Sequence, residues 1–309
     1  MNICFMGSMD FAVPILEGLH KKYGVSLVVT QPDKPFGRKQ ILKGTSVKNK
    51  ALELGIELFQ PVSIKKDYQR IINEDFDFII VAAYGQMIPE VVLLHGTFQA
   101  INVHASLLPK YRGGSPMHQA IINGDAQTGV SIVYMEKSLD SGFILSQISC
   151  DIKEDMDVSS LEKTLSLLGR DLLLNTIDEL LKGKVKPVAQ DLAKVTYAYN
   201  FRNQDLIINF NKTAKEISDF VRGLRPWPIA YFMFEDKKIK VFEVEYQNIN
   251  LSDIPGEIVK VAKDGLFVQT KSGIVNLKSI QLEGKKQMNI KDFMNGVGKS
   301  MFFAGQILK

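Results

Sequence analysis

The first 150 residues alternate short apolar runs with stretches of helical apolar spacing, the pattern of βαβ units on a mostly parallel sheet. Asn2–Met6 and Phe76–Ala82 read as buried strands, Val25–Thr30 as a further strand, and Ile101–Val103 is strand-like. Phe11–Leu19, Ser46–Leu54 and Ser115–Asn123 carry helical spacing, with Asp10 a plausible cap for the first and Ser115-Pro116 a cap and first helical residue for the last. Gly129–Met135 and Phe143–Ile148 flank the turn Leu139-Asp140-Ser141-Gly142 and read as a hairpin. Val158 to Lys182 is a long helix with Leu161, Leu165, Leu168, Leu172 and Ile177 on its apolar side.

The pattern changes after Lys182-Gly-Lys-Val-Lys-Pro187. Residues 189–205 read as a linker, and 206–309 as a second, smaller domain following an α/β domain over 1–188. In it, Ala214–Leu224 is a helix and Arg225-Pro-Trp-Pro228 ends it. Five short alternating runs follow, Ala230–Phe234, Lys238–Tyr246, Gly256–Ala262, Gly265–Thr270 and Ile274–Ile280. Strands at this spacing suggest a small β-barrel of the oligonucleotide-binding type. The fold class is therefore α/β with a Rossmann-like N-terminal domain and an OB-like barrel.

One connection stands apart. Gln31 to Thr45 holds two prolines, two glycines and four positive charges without any period, far longer than the roughly 2–6 residues usual between strand and helix. Arg38, Lys39 and Lys43 make it a basic arm.

Charge divides unevenly along the chain. Residues 206–309 carry 16 Lys and Arg against 11 Asp and Glu, whereas residues 1–205 carry 22 against 23. Such an excess on the smaller domain suits a polyanion but equally a solvated lysine-rich surface. No apolar run approaches the roughly 18 residues of a membrane span, and no basic region precedes the first strand as in a signal peptide. Cys4 and Cys150, both in apolar runs, read as buried free thiols. The composition is that of a cytoplasmic protein, and a monomer without membrane association is the expectation carried forward.

The chemistry centres on Ile101-Asn-Val-His-Ala-Ser-Leu-Leu-Pro-Lys-Tyr-Arg-Gly-Gly-Ser-Pro116. Asn102 and His104, two positions apart on a strand, point to the same side at its end. Asp140 can stand opposite them if the neighbouring strand is the one that leads into its turn. An Asn amide can donate to an oxygen that gains charge in a tetrahedral intermediate. A His can do the same or take a proton, and a carboxylate beside it can hold or relay that proton. Taken singly, each fits a plainer role: Asn102 as a turn former, His104 as an exposed histidine and Asp140 as an acceptor of backbone N–H bonds, while His118 reads as a helix-surface residue. The combination is what carries chemistry. No Gly-x-Ser-x-Gly elbow accompanies it, so direct transfer between two substrates fits better than a covalent intermediate. His20, His95, His104 and His118 lack ligand spacing, so no metal is expected. Gly7-Ser-Met-Asp10 is not a Gly-x-Gly-x-x-Gly fingerprint, which disfavours a nicotinamide dehydrogenase.

Asn102-Val-His-Ala-Ser-Leu-Leu-Pro-Lys-Tyr-Arg-Gly113, with Thr128-Gly-Val130 and Leu139-Asp-Ser-Gly142, closely resembles the folate-dependent formyltransferases. Thr30-Gln-Pro-Asp-Lys-Pro-Phe-Gly-Arg38, Val81-Ala-Ala-Tyr-Gly85 and Arg225-Pro-Trp-Pro228 are similar to the branch of that family whose acceptor is methionyl-tRNA. The resemblance implies formyl transfer from the co-substrate 10-formyltetrahydrofolate to the amine of initiator methionyl-tRNA. It also implies that Asn102, His104 and Asp140 are catalytic and that Ser106, Leu107, Leu108 and Pro109 line the folate site. By the same resemblance, Arg38, Lys39 and Lys43 approach tRNA, the 1–188 domain is catalytic and the 206–309 barrel contacts the tRNA backbone. The arm departs from the family pattern at Gly37-Arg-Lys-Gln-Ile-Leu-Lys-Gly-Thr-Ser-Val47, as does Ser8-Met9 where Thr-Pro is usual. A formyltransferase acting on a nucleotide sugar and a non-catalytic RNA-binding protein are the alternatives.

Overall fold

The structure, a computed structural model, describes residues 1–37 and 40–308. It divides into two compact units: Met1–Pro116, Gln127–Asp151 and Glu162–Tyr199 form the first, and Met117–Ala126, Ile152–Leu161 and Asn200–Lys309 the second.

In chain order the elements begin with β1 (Ile3–Gly7), α1 (Val13–Tyr23), β2 (Leu27–Val29), β3 (Lys34–Phe36), β4 (Ile41–Lys43) and α2 (Ser46–Glu53). Then come β5 (Glu57–Phe59), α3 (Gln69–Ile72), β6 (Phe78–Ala82), α4 (Glu90–Leu93) and β7 (Ile101–His104). These are followed by α5 (Pro116–Ile122), β8 (Gln127–Tyr134), β9 (Ile144–Asp151) and α6 (Val158–Leu181).

The first unit is built on a seven-stranded sheet in the order β5-β2-β1-β6-β7-β8-β9. Pairings from β5 to β7 are parallel, and β8 and β9 run antiparallel at the far edge. The chain leaves β1 first toward β2 and later returns on its other side as β6, so the winding reverses between these two strands. Ligands of open α/β sheets sit beyond the strand carboxyl ends near such a reversal. The mostly parallel sheet expected from the sequence is present.

Burial explains why these strands read so clearly. Every residue of β1, β6 and β7 is buried, with Phe5, Met6 and Phe78 fully so. Each such side chain contributes roughly 1.5–3 kcal/mol relative to exposure. On one face of the sheet, Cys4, Met6, Ile79 and Val81 pack with Leu93 and Ala100. Cys150 departs from the expected buried thiol: it sits half-buried on β9, the edge strand.

Three further details differ from the sequence reading. The apolar side of α6 runs through Leu161, Leu165, Gly169, Leu173 and Ile177, and Leu168 and Leu172 are only half-buried. A spacing of four carries this face, and Gly169 belongs to it because a Cβ there would come 3.0 Å from Val103 of β7. The long 31–45 connection also contains structure, because β3 and β4 form an antiparallel hairpin. An isolated two-stranded ribbon has no buried face, so nothing forces an alternation that a sequence could display. Ile41 and Leu42 are accordingly about two-thirds exposed, at 65% and 67%. Asp10 does not cap the first helix; its carboxylate accepts the Ser46 hydroxyl instead.

The second unit contains α7 (Ala214–Gly223), capped by the reciprocal pair Thr213 and Glu216. After it come β10 (Ala230–Phe234), β11 (Lys237–Gln247), β12 (Ile258–Ala262), β13 (Gly265–Gln269) and β14 (Ile274–Leu282). They form an antiparallel sheet in the order β10-β11-β14-β13-β12, compatible with the expected small barrel. Beyond the five expected strands lie β15 (Met288–Asn289), paired with β14, and two short helices, α8 (Ile290–Asn295) and α9 (Gly298–Met301). Phe293 and Phe302 from this last segment are buried against Phe232 and Phe234. His118, expected on a helix surface, is half-buried beside Phe201, and burial lowers its pKa against the opposing effect of a hydrogen bond with the Trp227 carbonyl.

The β8–β9 turn is packed so closely that its glycine is obligatory. A Cβ on Gly142 would lie 1.9 Å from the Tyr134 carbonyl oxygen, and backbone cannot yield as a side chain would. Gly142→Ala is therefore expected to destabilise the chain by at least about 2 kcal/mol. Urea denaturation measures this, and an unchanged midpoint would contradict the packing.

Candidate active site

Asn102 and His104 sit on β7, held between parallel β6 and antiparallel β8 by the pairs Val81↔Asn102, Asn102↔Val133 and His104↔Ser131. β8 runs antiparallel and ends at Tyr134 beside Ile101, and the residues that follow it fold back along β7 to set Asp140 against Asn102 and His104. The Asn102 amide donates toward Asp140 Oδ1 at 3.4 Å, a long contact. His104 Nδ1 stands 3.7 Å from Asp140 Oδ2. The same Oδ2 accepts the Gly113 N–H at 2.8 Å. All three side chains are largely buried, so their polar atoms interact in a medium less screened than water. The three residues singled out in the sequence are thus brought together, and the plainer role of Asp140 as a backbone acceptor holds as well.

The His104 ring is oriented by its other nitrogen. Nε2 lies 2.9 Å from the Tyr111 carbonyl, and a carbonyl only accepts, so Nε2 carries a proton. Nδ1 then faces the Asp140 carboxylate and is the position where a proton can be taken up or released. Tyr111 (φ 62°) and Asp140 (φ 47°) both adopt the left-handed region. That conformation is costly for a bulky residue such as Tyr111, and strain of this kind persists only where surrounding contacts over-determine it.

Those contacts come from residues 190–198, the stretch read as linker, and their importance was not legible in the sequence. Gln190 Oε1 accepts from Arg112 Nε and Nη2 at 3.0 and 2.7 Å. Its Nε2 donates to the carbonyls of Asp140 and Gly142, both at 2.8 Å. One buried amide therefore clamps the loop after β7 to the turn after β8. Arg112 is itself buried, so its guanidinium shapes the site rather than facing solvent. Thr196 adds its hydroxyl as acceptor for the Tyr111 N–H at 2.9 Å.

The Ser106–Pro109 segment is fixed just as firmly. The Ser131 hydroxyl donates to the Ser106 carbonyl at 2.6 Å and accepts the Leu108 N–H at 3.0 Å. Gln147 donates to the Leu108 carbonyl and to the Ser131 hydroxyl. The Ser106 hydroxyl donates to the Lys110 carbonyl. Ser106 and Leu108 are buried, leaving Leu107 and Pro109 half-exposed. A cavity of about 260 Å³ borders the β8–β9 connection, lined by Glu90, Leu93, Gln99, Met135, Glu136 and Ser138 among others.

Of the basic arm, Lys43 lies exposed on β4, and Arg38 and Lys39 lie outside the described residues. His20 and His95 are engaged with backbone groups, at Val25 N–H and the Glu74 carbonyl. Among the described residues no group of three or more His, Cys, Asp or Glu is placed to hold a metal ion.

The clamp yields a direct test. Gln190→Ala leaves the buried guanidinium and two carbonyls each short of a partner, and is expected to destabilise the chain by about 1–3 kcal/mol. Equilibrium unfolding reads this loss, and parental stability would show that Gln190 holds nothing.

The geometry can be set beside known proteins. Residues 1–177 match the family model "Formyl transferase" and residues 200–298 the model "Formyl transferase, C-terminal domain". A methionyl-tRNA formyltransferase of Macrococcus caseolyticus is 44% identical over 297 residues, covering 96% of this chain and 95% of that protein. The Streptococcus uberis protein of the same name is 42% identical, with 97% of both chains covered. Among solved structures, an N-formyltransferase from Helicobacter canadensis, in complex with folinic acid and dTDP-3-aminofucose, superposes with a TM-score of 0.67 at 17% identity, covering 89% of this chain and 98% of that one. HypX from Aquifex aeolicus in complex with tetrahydrofolic acid gives 0.66 at 14% identity, covering 99% of this chain and 50% of its own; both likenesses bear on fold alone. With relatives this similar across nearly the whole length and both family models matched, the chain belongs to the methionyl-tRNA formyltransferase family.

Proposed function

We propose that this protein transfers the formyl group of 10-formyltetrahydrofolate to the free amine of initiator methionyl-tRNA. The observation that supports it most is the meeting of Asn102, His104 and Asp140 at the carboxyl end of β7. The neutral amine attacks the formyl carbon, and a C–N bond forms as the carbonyl becomes an oxyanion. Asn102 donates its amide N–H to that oxygen, a contribution worth about 10²–10³ in rate. His104, with Nε2 held by Tyr111, works through Nδ1. The Nδ1–Asp140 pair accepts the proton that the attacking amine loses and returns one to N10 as the bond from N10 to the formyl carbon breaks. No covalent enzyme intermediate is required.

Folate lies along the Ser106–Pro109 segment in this reading. Leu107 and Pro109 are the two residues of that segment with surface to offer, while Ser106 and Leu108 serve as its buried anchors. Arg38, Lys39 and Lys43 approach tRNA phosphates, and the basic 206–309 region does the same. The 1–188 region is the catalytic domain, with 189–205 joining it to the tRNA-contacting domain. The enzyme acts as a cytoplasmic monomer, where its tRNA substrate is found, and no metal takes part.

The fold shared with a nucleotide-sugar enzyme keeps a second acceptor in view. Incubation with 10-formyltetrahydrofolate and either methionyl-tRNA or a nucleotide-linked amino sugar separates them. Formylation of methionyl-tRNA is the expected result; formylation of the sugar alone would replace the proposal, and formylation of neither would favour a non-catalytic RNA-binding protein. Affinity for tRNA is also expected to fall with salt, each phosphate engaged adding about −0.7 to −0.9 to the slope of log K against log salt. A flat plot would remove the RNA role.

A further inference from the structure

We propose that Tyr197 and Tyr199 form the platform on which the 3′-terminal adenine of the aminoacyl-tRNA stacks while its amine occupies the catalytic site. This rests on the acceptor proposed above.

In Tyr197-Ala-Tyr199 the middle side chain is turned inward and the outer two outward: Ala198 is fully buried, whereas Tyr197 and Tyr199 are 49% and 67% exposed. Two positions apart, the tyrosines share one side of the segment. Their rings stack with centroids 5.4 Å apart and an angle of 3° between planes. One face of Tyr199 is thereby covered by its neighbour, and the exposure of the residue lies on the opposite face and edge. The pair presents a flat π surface, already ordered, to solvent.

The position of that surface matters as much as its chemistry. Thr196 and Ala198 pair with the loop after β7: the Arg112 N–H donates to the Thr196 carbonyl at 2.9 Å, the Ala198 N–H to the Arg112 carbonyl at 2.8 Å and the Ser115 N–H to the Ala198 carbonyl at 3.0 Å. Gly113 has room for this approach only because it lacks a Cβ, which would meet the Ala198 carbonyl oxygen at 2.6 Å. On the same loop, the Tyr111 carbonyl orients His104 and the Gly113 N–H holds Asp140. The tyrosines are therefore mounted on the backbone that sets the reacting groups.

The acceptor supplies the complementary constraint. In an aminoacyl-tRNA only an ester-linked amino acid and one ribose separate the reacting amine from the terminal adenine. When the amine is at Asn102 and His104, the adenine has to lie close by. Single-stranded nucleotides are held largely by stacking on aromatic side chains, worth about 1–3 kcal/mol per base.

Kinetics of the full-length protein and of Tyr199→Ala and Tyr199→Phe decide the matter, using methionyl-tRNA and methionyl-tRNA whose 3′-terminal residue lacks its base. Tyr199→Ala is expected to raise KM for methionyl-tRNA by about 5- to 100-fold, with a smaller effect on kcat. Tyr199→Phe, which keeps the ring, is expected to restore KM. With the abasic acceptor the parent protein already shows the raised KM, and Tyr199→Ala adds no further loss. An unchanged KM in Tyr199→Ala, or an equal loss on both acceptors, would overturn the platform while leaving formyl transfer intact. A parent protein that does not formylate methionyl-tRNA would overturn both.

Discussion

The Asp140 carboxylate is where three separately built segments meet. It accepts the Gly113 N–H from the loop after β7, stands near the Asn102 amide and the His104 ring on β7, and is carried by the turn that follows β8. None of these segments could fix the others by itself. The strand is positioned by core burial, the turn by its tight return onto Tyr134, and the loop by Gln190 and Thr196 from the stretch beyond α6. The buried sheet supplies rigidity at the strand end, and polar clamps convert that rigidity into a fixed arrangement of the proposed catalytic groups. Sites of this kind tolerate little displacement, because transfer depends on reacting atoms held near contact distance.

Strain is concentrated at the same place. Tyr111 and Asp140 adopt left-handed backbone conformations on either side of the Gly113 hydrogen bond. Tyr111 thereby turns its carbonyl onto His104, which settles the proton on Nε2 and leaves Nδ1 toward the carboxylate. The fold holds these conformations through bonds that have no part in the reaction itself: Thr196 to Tyr111, Gln190 to Arg112, and Gln190 to Asp140 and Gly142. A stretch with the composition of a linker thus acts as a brace.

What could be read from the residues depended on whether the physics was local. β1 and β6 were legible because continuous apolar runs of that length have few other uses, and Asn102 and His104 followed from the two-residue period of β7, where they alternate with Ile101 and Val103. Asp140 became legible only as part of a familiar set, since a lone turn aspartate has a plainer role. The hairpin of β3 and β4 was hidden because an exposed ribbon need not alternate. On α6, Leu168 and Leu172 suggested a face displaced from the one that Gly169 and Leu173 occupy, because the glycine there signals close approach and carries no apolar side chain. Gln190 was invisible: its partners lie 78, 50 and 48 positions away, and no local pattern marks a glutamine as a clamp. The Tyr-Ala-Tyr pattern of residues 197–199 was available to be read, but it is too short to separate from chance.

In the proposed reaction the Asp140 charge takes part in moving the proton during transfer to the amine. Asp140→Asn tests it cleanly, since Asn tolerates the left-handed backbone and its carbonyl can still accept the Gly113 N–H. The measurement is the single-turnover rate of formyl transfer from 10-formyltetrahydrofolate to methionyl-tRNA at saturating substrates, beside the affinity for tetrahydrofolate. A rate lower by about 10²-fold or more with folate affinity preserved is expected; a rate equal to that of the parent protein would show that the Asp140 charge has no part in the transfer.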